Sequence, residues 1–338
     1  MGLRGLLGAT RHKMRRRQEA RMVQSLTQVL HGPARVQLQI NECAVVSMMK
    51  NAAYWVADFI RHHQALGVAH IVILDNGSTD QTVQIAQGFE GVTVLRNTLP
   101  AKQYECHLRE AAAHKVLQGG WILFADSDEM AEMPGGLRRL LDYCNAQGFT
   151  AVVSQMLDLY APLPLSRTRG LDYAQARAVT DRYSLGALGR VPYFAPENAL
   201  HWFLKDNRGA EGVTMLTGGL RREIFGEDCL LSKHSLVRNL PGAQLMTHPH
   251  TASGVVVADV SFVLKHYKLA GDFVARDQVS VAQATWDHAE DARRMGTVGA
   301  TDFQIAPAQS QVYAGPGQLV EQGFLVASQT YSAFASQA

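Results

Sequence analysis

Two short apolar segments of this chain each run directly into an acidic turn, and this pattern constrains the fold most. Residues 70–74 precede the turn at 75–80, and residues 121–125 precede the turn at 126–129. Carboxylates cannot continue a buried strand without partners, so the chain must reach the surface at both points. We therefore expect both acidic turns at the ends of buried strands.

Strands and helices alternate along residues 36–160, as judged from the spacing of apolar residues. This alternation predicts an α/β fold with a mostly parallel sheet that helices cover on both faces. Such sheets bind ligands at the carboxyl ends of their strands, so we expect the two acidic turns to share one site. The predicted strands lie at 36–49 with a break at 41–42, at 70–74, 92–95, 121–125 and 150–156, and the predicted helices at 54–66, from about 80, at 102–117 and at 134–145.

The second turn carries two carboxylates with one residue between them, Asp126 and Asp128. Side chains with this spacing can converge on one cation where the backbone turns at a strand end. Oxygen ligands suit Mg²⁺ or Mn²⁺, and such a cation in turn binds a diphosphate. Because Asp-Ser-Asp is also common in solvated turns, its position after a buried strand carries the prediction of a metal site.

The first turn is typical of a strand end that leads through polar residues into a helix. Ser78 or Thr79 is a candidate N-cap, and the helix is predicted to begin near Asp80. Asp75, at the carboxyl end of the strand, can accept a hydrogen bond from a base N–H or a ribose hydroxyl. The alternative is that residues 75–80 form only a turn and a helix cap.

Three motifs in this order resemble those of one enzyme family. Residues 47–51, Ser-Met-Met-Lys-Asn, resemble the opening motif of family 2-type glycosyltransferases with the GT-A fold, in particular bacterial members of the Glyco_tranf_2_4 and GT92-like kind. The turn at 75–80 matches the second motif of that group, and 126–129 resembles its metal-binding motif. Ala52 departs from the pattern, because the family commonly has an acidic residue at this position.

The resemblance implies a GT-A domain that binds a nucleotide sugar together with Mn²⁺ or Mg²⁺. It implies that Asp126 and Asp128 hold the cation and that His266 completes its coordination, although His266 can equally be a structural histidine. His248 and His250 form a competing pair that lacks a third ligand nearby in the sequence. The residues expected to contact the donor are Ser47, Lys50, Asn51, Asp75, Asn76, Ser78, Asp126, Arg221 and Arg222.

A cluster at 217–228 combines a glycine-rich turn with basic and acidic residues, and it resembles the acceptor region of the same family. An inverting transferase needs a carboxylate that takes the proton of the acceptor hydroxyl, so Asp228 or Glu227 is the candidate base. Arg221, Arg222 or Lys233 can offset the charge of the leaving diphosphate. The alternative for each of them is ordinary surface charge.

Composition excludes several other classes of protein. With 338 residues, 47% of them hydrophobic, the chain can bury one core of ordinary size, and a net charge of +2 implies no nucleic-acid partner. The four cysteines lack Cys-x-x-Cys spacing, which favours reduced, packed thiols. No segment reaches the roughly 18 apolar residues of a membrane span. The start also lacks the apolar core of a secretory signal, so we expect a cytoplasmic protein.

The expected organisation is a basic N-terminal extension at 1–35, a nucleotide-sugar-binding half at 36–160, an acceptor-binding half at 161–300 and a loosely packed polar tail at 301–338. The extension is predicted to be helical to about Gly32; it is either solvated or contacts anionic lipid or a partner. Within the acceptor half, an irregular segment spans 161–207. Its aromatic rings either stack on a sugar or pack among themselves.

We therefore predict a metal-dependent glycosyltransferase that moves a sugar from a UDP- or GDP-linked donor to a glycan, lipid-linked or polysaccharide acceptor, with inversion implied by the resemblance. A sugar nucleotidyltransferase is one alternative, but residues 47–51 lack the glycines of its phosphate loop. A catalytically silent carbohydrate-binding or scaffold protein is another. The presence of both Asp126 and Asp128 argues against it.

Overall fold

The computed structural model describes residues 3–282, 289–299 and 302–336. A large mixed sheet organises them, with helices on both faces. The strands are β1 (Gln28–His31), β2 (Val36–Gln37), β3 (Cys43–Met49), β4 (His70–Asp75), β5 (Val92–Arg96), β6 (Leu117–Gln118), β7 (Trp121–Phe124), β8 (Glu129–Glu132), β9 (Ala151–Asp158), β10 (Arg182–Tyr183), β11 (Leu188–Pro192), β12 (Arg208–Gly209), β13 (Thr214–Gly218), β14 (Ser232–Arg238), β15 (Gln244–His248), β16 (Thr251–Ser253), β17 (Val256–His266) and β18 (Gln311–Val312). The helices are α1 (Leu3–Leu26), α2 (Val56–Leu66), α3 (Thr82–Gln87), α4 (Ala101–Val116), α5 (Leu137–Gln147), α6 (Leu165–Thr168), α7 (Tyr173–Val179), α8 (His201–Leu204), α9 (Leu220–Phe225), α10 (Phe273–Ala282), α11 (Glu290–Val298), α12 (Pro316–Glu321) and α13 (Gln329–Ser336).

The main sheet has the strand order β1-β5-β4-β3-β7-β14-β9-β17-β12, and β8 pairs with β17. Strands β5, β4, β3 and β7 are parallel, and so are β9, β17 and β12. Strand β14 lies antiparallel between β7 and β9. The predicted α/β fold with a mostly parallel sheet is confirmed.

The central strands are buried on both faces, which explains why they are continuous apolar runs instead of alternating ones. Along β3, Val45 packs into the core on one face and Val46 into the core on the other. Helices α2 and α5 cover the first face, and α4, with α1 beside it, covers the second. No described helix is long and apolar enough to cross a membrane.

The two acidic turns leave the sheet at the same edge. Asp75, the last residue of β4, is in register with Met49 at the end of β3, while Phe124 at the end of β7 is in register with Val46 of β3. Because β4 and β7 flank β3 and all three are parallel, the two turns are separated by two strand spacings, roughly 10 Å. The two acidic turns therefore lie side by side, as predicted, and together with the loop after β3 they form one rim at this edge of the sheet.

Two predicted helix starts are wrong. Helix α3 begins at Thr82, and neither Ser78 nor Thr79 caps it. The N-cap is Gln81, whose side chain makes no capping bond, and Asp80 before it accepts a hydrogen bond from the Thr82 amide at 3.0 Å through Oδ1. Helix α5 begins three residues after Pro134, because Gly135 and Gly136 have φ angles of +75° and +89° and continue the turn.

At the N-terminus, helix α1 ends at Leu26, earlier than predicted. The following residues form strand β1, which pairs antiparallel with β5 at the edge of the main sheet. Residues 28–31 thus belong to the sheet and not to an extension.

The segment at 161–207 contains α6, α7, α8 and two short strands, β10 and β11, where the sequence predicted irregular structure. Its tyrosines Tyr173, Tyr183 and Tyr193 are buried in the cores that cover the main sheet, so packing is their role here. Phe194 and Trp202 of the same segment are exposed, Trp202 the more so at 71%.

The expectation of a loosely packed C-terminal tail is wrong for residues 302–336. Leu319, Phe324, Leu325 and Tyr331 are all buried in the core beneath α5. The Tyr331 hydroxyl donates to the Pro134 carbonyl, and its ring meets that of Tyr143 edge to face. Small and polar residues dominate the composition of this segment and hide these few anchors.

Replacing Tyr331 with alanine should lower the free energy of unfolding by about 3–4 kcal/mol, because a large buried ring and its hydrogen bond are lost. Chemical denaturation measures the change. Thr330→Ala, at an exposed neighbouring position, is the control and should stay within about 0.5 kcal/mol of the parent. Equal effects of the two substitutions would show that the C-terminal helix is not anchored through Tyr331.

His63 on α2 illustrates a histidine that serves packing. It is fully buried, and its Nδ1–H donates to the Phe59 carbonyl at 2.9 Å. Burial, with a smaller contribution from His62, lowers the pKa of His63 to about 3. The unfolded chain therefore binds a proton at this residue between pH 6.5 and 3 that the folded chain does not bind, and stability falls as the pH falls through this window.

His63→Leu should remove this contribution. The free energy of unfolding of the variant should fall less steeply below pH 6.5 than that of the parent, by about 1.4 kcal/mol per pH unit for one proton. Denaturation curves at several pH values between about 7.5 and 4.5 measure the two slopes. A slope that the substitution leaves unchanged would rule out a neutral, buried His63.

Candidate functional site

The loop after β3 and the turn after β4 are tied together by side chains. The Ser78 hydroxyl accepts from the Asn51 amide at 2.9 Å, and the Asn51 side chain accepts from the Thr79 amide at 2.8 Å. Asn51 has a φ of +53°, which asparagine tolerates better than most residues. Ala52 is buried, and its amide donates to Thr82 at 2.7 Å, so the site where the family commonly has an acid is used here for packing and a backbone contact.

Asp75 is fully buried, and both its carboxylate oxygens are engaged. Oδ1 accepts from the Ser78 amide at 2.9 Å, and Oδ2 accepts from Arg96 at 3.0 Å. The side-chain amide of Asn76 donates to the carbonyls of Asn97 and Leu99 at 2.7 and 2.9 Å. In this arrangement Asp75 and Asn76 fix the shape of the rim, and their contact with a nucleotide remains a prediction.

Lys50 and Ser47, two other residues predicted to contact the nucleotide-sugar donor, differ in their exposure to solvent. Lys50 is exposed at the end of β3. Ser47, three residues earlier, is buried, and its hydroxyl has no hydrogen-bond partner within the described residues. An unpaired buried hydroxyl is uncommon and costs free energy, so it marks a place where a ligand or water would be stabilising.

Asp126 lies between two cationic side chains at the end of β7. Arg109 of α4 donates to its Oδ1 at 2.5 Å, and Lys233 of β14 donates to its Oδ2 at 2.9 Å. Lys233 also contacts Glu129 at 2.5 Å. Burial would raise the pKa of Asp126, but Arg109 and Lys233 outweigh it and hold the pKa well below its usual range.

Asp128 faces a different strand. Its Oδ2 lies 3.4 Å from Nε2 of His266, and the Nδ1–H of His266 donates to Asp158 Oδ1 at 2.6 Å. Burial would lower the pKa of His266, but the two carboxylates raise it to about 9. Burial would raise the pKa of Asp128, but His266 outweighs burial and lowers this pKa to about 2.

Behind His266 lies a buried ion-pair network. Arg221 donates to Asp158 Oδ2 at 3.0 Å and lies 3.5 Å from Glu227. Glu227 accepts from Arg294 of α11 at 2.7 Å, and Arg294 also pairs with Asp277 of α10. The predicted donor contact Arg221 and the predicted base Glu227 are thus both enclosed by protein.

Arg222 and Asp228 lie outside this network. Arg222 pairs with Asp228 and donates to Thr217 at 2.9 Å. The Asp228 side chain is 75% exposed. The adjacent positions 227 and 228, which the sequence offered as equivalent candidates, therefore have opposite surroundings.

His248 and His250, the competing histidine pair, each use Nδ1 in a hydrogen bond with the backbone. Nδ1–H of His250 donates to the Ser232 carbonyl at 3.0 Å, and Nδ1 of His248 accepts from the His250 amide at 3.1 Å. Burial, followed by the charge of Lys233, lowers the pKa of His250 to about 3. The His248 ring thus serves the turn between β15 and β16, and the His250 ring connects this turn to β14.

Three charged residues of the site were missed from the sequence. Asp158 follows an apolar strand, the same signal that marked Asp126, but it stands alone and outside any motif. Arg109 lies within an otherwise apolar face of α4, where a charge signals a buried partner. Arg294 gives no local signal, because its partners are distant in the chain.

The side chains at His266 fit a divalent cation. Two ligands of one cation with bonds of roughly 2.0–2.2 Å lie about 3 Å apart, close to the observed separation of Asp128 and His266. Asp158 holds the far nitrogen of the ring, as carboxylates commonly do for metal-bound histidines. Among the described residues no group of three His, Cys, Asp or Glu side chains forms a ready-made ligand set, so phosphate oxygens and water would complete the shell.

Residues 45–177 match the family model described as glycosyl transferase family 2. The match covers less than half of the chain's length. No curated protein matches the chain.

Among solved structures, the chain is similar to glucosyl-3-phosphoglycerate synthase from Mycobacterium tuberculosis in complex with Mn²⁺, UDP and glucosyl-3-phosphoglycerate. The identity is 21% and the TM-score is 0.26, and the similarity covers 35% of this chain and 44% of that one. The chain therefore spans less than half the length of that structure.

Lys233→Met should lower the free energy of unfolding by about 3 kcal/mol, because Asp126 and Glu129 lose their shared cation in a poorly solvated place. Chemical denaturation near neutral pH measures the loss. Lys205→Met is the control, since Lys205 is exposed above the Trp202 ring, and it should cost no more than about 1 kcal/mol. A similar cost at both positions would argue that the Lys233 contacts are solvated and weak.

Proposed function

We propose that this protein is a metal-dependent glycosyltransferase that transfers a sugar from a nucleotide diphosphate donor, of the UDP or GDP type, to a glycan, lipid-linked or polysaccharide acceptor. The observation that carries the proposal is the place of His266 between Asp128 and Asp158, at the edge of the sheet where the family motifs end. This is the arrangement of a histidine that ligates a metal and is oriented by a second carboxylate.

In the proposed site Asp128 and His266 hold Mn²⁺ or Mg²⁺. When bound, the cation supplies charge that neutralises the departing diphosphate. Asp126, the third proposed ligand, keeps its contacts with Arg109 and Lys233 and joins the cation's shell directly or through water. Lys233, which contacts Asp126, would supply a second positive charge for the phosphates.

The nucleoside is proposed to bind along the rim formed by residues 47–51 and 75–78. Lys50 is exposed there and can reach a phosphate or ribose, while Asn51 and Ser78 hold the two loops against each other. Asp75 and Asn76 lie at the base of this rim, where their side chains hold the backbone in place. The unpaired hydroxyl of Ser47 lies beneath the same rim.

The acceptor hydroxyl needs a carboxylate that can reach it. Of the two candidate bases, Asp228 has an exposed side chain, whereas Glu227 is enclosed between Arg221 and Arg294. We therefore assign the base to Asp228, with its partner Arg222 at the same surface. Inversion of configuration is part of the proposal and rests on the family resemblance.

Asp128→Ala and His266→Ala should each reduce Mn²⁺-dependent release of UDP or GDP from sugar nucleotides by about a hundredfold or more, a loss of roughly 3 kcal/mol of transition-state stabilisation. The measurement is nucleotide release from a donor panel with Mn²⁺, with Mg²⁺ and with a chelator. Asp142→Ala is the matched control, since Asp142 is a half-exposed carboxylate that pairs with Arg138 on α5, and it should keep full activity.

Three outcomes would contradict the proposal. The first is turnover that neither the chelator nor the two site substitutions alter. The second is consumption of a nucleoside triphosphate and a sugar phosphate with formation of the sugar nucleotide, which would identify a nucleotidyltransferase. The third is a chain that binds sugars but releases no nucleotide from any donor, which would identify a silent carbohydrate-binding protein.

A further inference from the structure

The two carboxylates that flank His266 are not equivalent. Asp128 lies on the loop after β7, and its side chain is 17% exposed. Asp158 ends β9, in register with His266 at the end of the parallel neighbour β17, and its side chain is 2% exposed. One carboxylate therefore faces the site, and the other lies behind the ring within the protein.

Both oxygens of Asp158 are already used. Oδ1 accepts from the Nδ1–H of His266 at 2.6 Å, and Oδ2 accepts from Nε of Arg221 at 3.0 Å. Asp158 contacts Nδ1 of the ring, whereas Asp128 lies at Nε2, so Asp158 is on the far side of the imidazole from the proposed cation. It can only fix the direction and the tautomer of the imidazole.

Arg221 is itself held in place. It is 4% exposed, and its Nη1 lies 3.5 Å from Glu227 Oε2. The other oxygen of Glu227 accepts from Arg294, a fully buried arginine of α11, at 2.7 Å. The support behind His266 thus passes from the sheet to α9 and then to the helix pair α10 and α11.

We propose that Asp158 and Arg221 are positioning residues that hold His266 with its Nδ1 protonated and its Nε2 directed at a divalent cation beside Asp128. Neither of them touches the cation or the donor. The inference rests on the proposed function, because it requires that Asp128 and His266 bind the metal. It also replaces the expectation that Arg221 contacts the leaving diphosphate.

The physical basis is the loss of metal affinity that follows when the imidazole ring of His266 is not held in one orientation and one tautomer. Without Asp158, the imidazole can rotate and exchange tautomers, so only part of the population presents a bare Nε2 to the cation. Carboxylate partners of metal-bound histidines also raise the basicity of the ligating nitrogen, and removing them costs roughly ten- to hundredfold in metal affinity.

The test compares Mn²⁺ binding by the whole chain and by two Asp-to-Asn variants, with and without UDP or GDP, from the electron paramagnetic resonance signal of free Mn²⁺. Asp158→Asn should bind Mn²⁺ about ten- to hundredfold more weakly, because one of the two acceptor oxygens becomes an NH2 donor, which cannot accept from His266 or Arg221. Asp259→Asn is the matched control, since Asp259 is a carboxylate of the same strand β17 that accepts from Tyr143, and it should bind Mn²⁺ as the parent does.

A second measurement reports the ring itself. Long-range ¹⁵N–¹H spectra of histidine-labelled protein with Mg²⁺ should show the Nδ1–H tautomer of His266 in the parent and a mixture of tautomers in Asp158→Asn, with the resonances assigned through His266→Gln. A residue with only a structural role would lower the unfolding midpoint and change neither the tautomer nor the affinity. That result would overturn the inference.

Arg221→Lys provides the test again if Asp158→Asn does not fold, because lysine keeps the charge and loses the Nε contact. It should weaken Mn²⁺ binding by about tenfold, and unchanged binding would overturn the inference. A parent chain that binds no Mn²⁺ even with nucleotide overturns both this inference and the proposed metal site. A parent that binds it, with variants of equal affinity, overturns the positioning role alone.

Discussion

The need to neutralise charge at the carboxyl edge of the sheet determines the structure around the site. Strands buried on both faces end there in carboxylates that water reaches only partly, and each needs a partner nearby. Arg96 serves Asp75, Arg109 and Lys233 serve Asp126, and His266 serves Asp128. These partners come from β5, α4, β14 and β17, so the same contacts that neutralise the acids also join the two halves of the sheet.

This arrangement favours a rigid surface at the rim where donor binding is proposed. An ion pair that is largely excluded from water holds its side chains in one geometry, and a preorganised site loses less entropy when a ligand binds. The rim loops follow the same principle with neutral groups, since Asn51, Ser78 and Asp80 replace water as partners of backbone amides. A donor would therefore meet a surface whose polar groups are already oriented, apart from the hydroxyl of Ser47 and the exposed Lys50.

The fold was predictable from the sequence where local patterns were strong. Apolar runs with polar turns placed β3, β4, β5, β7 and β9 to within two residues, and their parallel order placed Asp75 and Asp126 on one rim. The C-terminal segment was not predictable, because a few anchors such as Tyr331 decide its packing while the surrounding composition suggests a solvated chain. The partners of the site acids were not predictable either. Arg109 and Asp126 are 17 residues apart, and Asp158 and His266 are 108 residues apart, so only the folded sheet brings them together.

The two acids of the Asp-x-Asp turn show what sequence spacing cannot reveal. Spacing alone suggests that both side chains converge on one cation, but the chain turns between β7 and β8, and each acid then meets a different neighbour. Asp126 meets two permanent cations, whereas Asp128 meets a histidine whose proton a metal can replace. A histidine loses its charge when it ligates a metal, and an arginine or lysine in an ion pair does not. In the proposed site the metal therefore belongs on the side of Asp128, and Asp126 would link it to the positive charges that a diphosphate requires.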